Sequence, residues 1–75
     1  MFLSNLKAKL ELGSILKELQ NYLANNYKDA AHEQRRLLGE KCEAYYAAGK
    51  LSPRTYRKYK QLYLTYTQQM KDYHH

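Results

Sequence analysis

The sequence predicts an all-α protein: a small three-helix antiparallel bundle, with helices over 14–25, 27–48 and 53–72 and an N-terminal arm over 1–13. Two observations point there. Apolar residues recur at steps of three and four along most of the chain, and the strongest interruption, GKLSPRTY at residues 49–56, has the chemistry of one helix ending and another beginning. Size adds a third. A chain of 75 residues makes one domain with a core so small that nearly every amphipathic face has to be used.

In the first element Leu12, Ile15, Leu16, Leu19, Tyr22 and Leu23 form one apolar stripe, while Leu3, Leu6 and Leu10 point nearly the opposite way on the same wheel. A break at Gly13 and Ser14 would reconcile the two, because a glycine inside a helix costs about 1 kcal/mol and a serine can cap a restart. Residues 1–13 are then an arm, for which a helical and a looser form both stay open. The stripe Leu19, Leu23, Tyr27, Ala30 keeps its phase across Asn25 and Asn26, so one long rod is the alternative to separate first and second helices.

The second element carries Tyr27, Ala30, Ala31, Leu37, Leu38, Cys42, Tyr45 and Ala48 on one side. Asn26 stands where an N-cap is needed, with Asp29 in the first turn. Arg36 lies one turn from both Glu33 and Glu40 on the outer side, and His32 falls on the polar face.

Gly49 suits the left-handed position just past a helix end, Ser52 the following N-cap, and Pro53 the first helical position, where no backbone donor is required. Leu51 and Tyr56 occupy the positions of a hydrophobic staple. Beyond them Tyr56, Tyr59, Tyr63, Tyr66, Met70 and Tyr73 repeat at steps of three and four. This face is too short for a free coiled coil, so we read it as a core seam whose rings insert among Ala30, Ala31, Ala44, Ala47 and Ala48 and keep their hydroxyls at the rim.

The formal charge is +6, and it is unevenly spread. No acidic residue occurs from Ala44 to Lys71, against Lys50, Arg54, Arg57, Lys58, Lys60 and Lys71. Cations in the first turns of the third helix oppose the helix dipole, so Lys50, Arg54, Arg57, Lys58 and Lys60 are candidates for contacting phosphates of a nucleic acid. A competing expectation is a protein-interaction adaptor, with a protein partner or self-association as a homodimer, using Leu3, Leu6, Leu10 and the outward Tyr46 and Leu64.

Residues 49–59, GKLSPRTYRKY, resemble the turn and the start of the recognition helix in MerR-type regulators, where a Gly-x-Ser-Pro-x-Thr pattern leads into basic and aromatic residues that read DNA. Two residues rather than one separate Gly49 from Ser52, and no base-reading role is carried over. The same stretch is similar to the short helical hairpins of SHOCT-like segments, in which Gly, a hydrophobe and Ser/Thr join two helices.

Catalysis has little footing. The chain shows no Gly-rich phosphate loop, no His-x-x-Glu or Cys-x-x-Cys spacing and no Ser/His/Asp set, so an enzyme, a cofactor, a metal and a small-molecule substrate are not expected. Cys42 is alone and reads as a small packed hydrophobe. Without a long apolar run or a signal-like start, a cytoplasmic location is expected.

Overall fold

In the computed structural model of the chain, which describes residues 2–75 and side chains from Asn5 onward, α1 runs unbroken over Phe2–Ala24. The break expected at Gly13 and Ser14 does not occur. Ala8, Leu12, Ile15 and Leu19 form one buried stripe across that point, and burial of each large apolar side chain contributes about 1.5–3 kcal/mol, more than glycine's helix penalty. The conflict between the two apolar faces is resolved by leaving one uncovered. Leu6 is 42% and Leu10 63% exposed, while the side chain of Leu3 lies outside those described.

α1 and α2 (Lys28–Ala47) are separate helices, not one rod. Asn26 adopts φ 59°, its N–H donates to the Leu23 carbonyl at 3.1 Å, and the Tyr27 N–H donates to Tyr22 at 2.9 Å. These are the two bonds of a Schellman ending, and the rings of Tyr22 and Tyr27 meet at 6.3 Å as its apolar contact. Asn26 therefore terminates α1, whereas the sequence suggested that it starts α2. The cap position belongs to Tyr27, which makes no side-chain capping bond.

The second turn repeats the motif with glycine. Gly49 has φ 74°, its N–H donates to Tyr46 at 3.0 Å, and that of Lys50 donates to Tyr45 at 2.8 Å. Ser52 then caps α3 (Pro53–Gln69), its Oγ accepting from the Thr55 N–H at 3.2 Å, with Pro53 at the start as the sequence predicts. α3 stops short of residue 72. A final turn, Tyr73 N–H to the Met70 carbonyl at 3.0 Å, brings Tyr73 back to the other end of the bundle, where its hydroxyl donates to Asn26 Oδ1 at 2.8 Å. His32, expected on the surface, is half-buried there, with Nε2 against the Tyr73 carbonyl oxygen and the two rings 6.1 Å apart.

The register is up-down-up. Glu11 meets Tyr45 and Gln34 reaches the Ile15 carbonyl, which makes α1 and α2 antiparallel; Tyr56 meets Glu43 and Arg35 meets Thr67, which does the same for α2 and α3. α1 and α3 run parallel, joined where Gln20 Nε2 donates to the Tyr66 hydroxyl at 3.2 Å.

The phenol stripe of α3 is core. Tyr59 and Met70 are buried, and Tyr56, Tyr63, Tyr66 and Tyr73 are half-buried against the same cluster. Its seats differ from those expected. Ala31 is buried, but Ala44, Ala47 and Ala48 are exposed, and the Tyr63 ring sits against Gly39, where a Cβ would stand 2.5 Å from Tyr63 Cε1. Cys42 is fully buried, with Sγ 3.8 Å from the Tyr56 carbonyl that accepts its weak bond, and burial pushes its thiol up.

Candidate nucleic-acid interface

The α2–α3 turn sets the site. The Schellman ending at Gly49 and the Ser52 cap fix the angle at which α3 leaves, so the cations of its first turns stand beside the last turns of α2. Lys50, Arg54, Arg57 and Lys58 are exposed, and Lys60 is half-buried.

The acidic residues divide these cations into two groups. Glu43 accepts from Lys60 Nζ at 2.7 Å and from the Tyr56 hydroxyl at 2.9 and 3.0 Å. The Lys60 ammonium and then the Tyr56 hydroxyl hold the Glu43 carboxyl below its usual range, while the same carboxylate raises both Lys60 and Tyr56. Lys60 is thus partnered within the protein. Glu33 and Glu40 are held by Arg36, and Glu11 by the Tyr45 hydroxyl with Lys41 Nζ at 3.8 Å. Among the described residues no carboxylate pairs with Arg54, Arg57 or Lys58. Lys58 Nζ lies 5.4 Å from the centre of the Tyr59 ring, a cation–π contact that leaves its charge in place.

Two features of this end were not legible from the sequence. Tyr46 stacks on Tyr56, with ring centres 3.9 Å apart and planes 13° apart, and Tyr46 stays 40% exposed. The first turns of α1 also come here: a cleft of about 360 Å³ is lined by Leu6, Lys9, Lys50, Leu51, Ser52 and Thr55, and Lys7 lines a neighbouring one with Glu11, Tyr45 and Lys50. Lys7 and Lys9 therefore join the positive end of the bundle, although some 40 residues separate them from the α2–α3 turn. Only the antiparallel packing of α1 on α2 could reveal that.

Leu6 and Leu10 are exposed on α1, Leu64 is 47% exposed on α3, and Tyr46 lies at the α2–α3 turn. Among the described residues no group of His, Cys, Asp and Glu could hold a metal ion, and no helix is long and apolar enough to cross a membrane. No protein-family model matches the chain, and no curated protein or solved structure matches it.

Proposed function

We propose that the chain is a small basic, non-enzymatic helical module that associates with nucleic acid through phosphate contacts from the edge made by Lys50, Arg54, Arg57 and Lys58. One observation carries this reading: Glu11, Glu33, Glu40 and Glu43 are all engaged with other cations or hydroxyls, while among the described residues no carboxylate pairs with the exposed Arg54, Arg57 and Lys58. Like charges crowded at a helix N-terminus are unfavourable alone and become favourable when a polyanion neutralises them. Lys60 is a minor member of this edge because Glu43 holds it.

Contacts of this kind are tuned by salt and insensitive to sequence. Fluorescence anisotropy with labelled DNA and RNA, each single-stranded and duplex, is the test. Four phosphate contacts give a slope of log affinity against log salt of about −3 to −4, and Arg57→Glu with Lys58→Glu abolishes binding. Absence of binding to every form at low salt removes this function.

The exposure of Leu6 and Leu10 supports a second reading, a protein-interaction adaptor that self-associates through α1. Sedimentation of the intact chain and of Leu6→Ser with Leu10→Ser is the discriminating measurement. Identical monomer masses for both would dispose of it.

A further inference from the structure

We propose that Tyr46, seated on Tyr56 at the α2–α3 turn, is a stacking platform for an unpaired base, and that the nucleic acid held by the basic edge is therefore single-stranded. This rests on the phosphate-contact reading above and narrows it.

The argument begins with rigidity. Tyr56 is half-buried against the core, and its hydroxyl donates to Glu43, which Lys60 holds from the other side. The lower ring of the pair is thus fixed at both ends. Tyr46 lies on it nearly parallel, at 3.9 Å and 13°, so one face of Tyr46 is covered. The residue nevertheless remains 40% exposed, so Tyr46 keeps surface open to solvent that Tyr56 does not cover. A pre-positioned aromatic face loses little side-chain freedom when a second ring settles on it.

Charge favours a nucleobase over another flat ligand. Arg54 and Arg57 stand exposed on the first two turns of α3, the helix that carries Tyr56, and the carboxylate at the pair, Glu43, is occupied by Lys60 and the Tyr56 hydroxyl. A base on Tyr46 would bring its own phosphates to those arginines. Single-strand binders combine these two elements, an aromatic face for the base and cations for the backbone, whereas the bases of a duplex are stacked on each other and cannot reach such a face.

The experiment compares three labelled probes at low salt: an oligothymidylate of about 12 nucleotides, a duplex of the same length, and an abasic strand carrying the same phosphates. The oligothymidylate binds about 5- to 100-fold more tightly than the abasic strand. Tyr46→Ala removes that difference without changing abasic binding, and Tyr46→Phe keeps it. Equal binding of all three probes by the unaltered protein overturns the platform and leaves the phosphate edge standing. Failure of all three to bind overturns the edge itself, and the platform with it. Tyr46→Leu covers the chance that alanine unsettles the turn: a leucine variant with undiminished preference for the oligothymidylate also overturns the platform.

Discussion

A Cβ on Gly39 would stand 2.5 Å from Cε1 and 2.8 Å from Cδ1 of Tyr63, so a ring from α3 fills the space that a side chain on α2 would occupy. Alanine is the better helix former by about 1 kcal/mol, and that gain opposes an overpacking cost of about 1–3 kcal/mol. Gly39→Ala is expected to lower stability by up to about 2 kcal/mol in urea unfolding followed by circular dichroism. In a Tyr63→Ala background the same change is expected to raise stability by up to about 1 kcal/mol. This reversal of sign identifies the ring as the cause, because two residues in contact are coupled while distant ones simply add. A stabilising Gly39→Ala in the unaltered background would mean that the ring swings aside.

Gly13 predicts the opposite. A Cβ there would meet the Tyr59 hydroxyl at 3.4 Å, an ordinary contact, and the helix is continuous through it. Gly13→Ala is expected to raise the urea midpoint, with a gain of up to about 1 kcal/mol from helix propensity alone. A loss of stability at this position would show that α1 needs a flexible point there after all.

These two glycines mark what the sequence could and could not show. Periodicity gives the three helices, and capping chemistry gives the α2–α3 turn residue by residue, since Gly49, Ser52 and Pro53 act through bonds a few positions away. Gly13 misleads because a glycine that breaks a helix and one that a continuous helix merely tolerates have the same local signature. Asn26 misleads likewise: asparagine serves both as an N-cap and as a left-handed C-terminal residue. At the candidate site the cations are visible as a run without acids, but the Glu43–Lys60 pair spans 17 residues and the Tyr46–Tyr56 stack depends on the angle of the turn. Such pairings follow only once the helices are docked.

The two turns share one motif but use different residues at the left-handed position, which makes a direct comparison possible. Apart from its two chain neighbours, no described residue has a heavy atom within 4 Å of the place a Gly49 Cβ would take, so the cost of substitution there is backbone strain. Gly49→Ala is expected to cost about 1–2 kcal/mol and Gly49→Asn less, because asparagine tolerates this conformation as Asn26 does. Equal losses for the two variants in urea unfolding would contradict the assignment. At Asn26, glycine keeps the conformation and loses the bond from the Tyr73 hydroxyl, so Asn26→Gly should release Tyr73, seen as faster exchange of its amide proton.

Alkali, more than acid, is expected to weaken the fold. Burial raises the Cys42 thiol and the Tyr59 phenol, and the carboxylates of Glu11 and Glu43 raise the Tyr45 and Tyr56 phenols that donate to them. In each case the folded protein keeps a proton that the unfolded chain has already released. Stability is therefore full below the ordinary thiol value, about 8.5, and falls as pH rises past it and past about 10, where free phenols ionise. The acid side works in the reverse sense: Glu33 and Glu43 are held down by Arg36 and Lys60, so their contribution is present above about pH 4.3 and lost as pH falls. Those carboxylates are well exposed and screened by water, which keeps that loss small. Urea midpoints measured from about pH 6 to 11 should thus decline on the alkaline limb. Replacing Tyr56 by Phe removes one of these protons and should flatten that limb. In parallel, the buried Cys42 should resist a thiol reagent at pH 8 and react at a rate set by opening of the bundle, rising with urea. A midpoint that holds level up to about pH 11, or a thiol that reacts at the rate of a free one, would show that the helix 2–3 seam is wet.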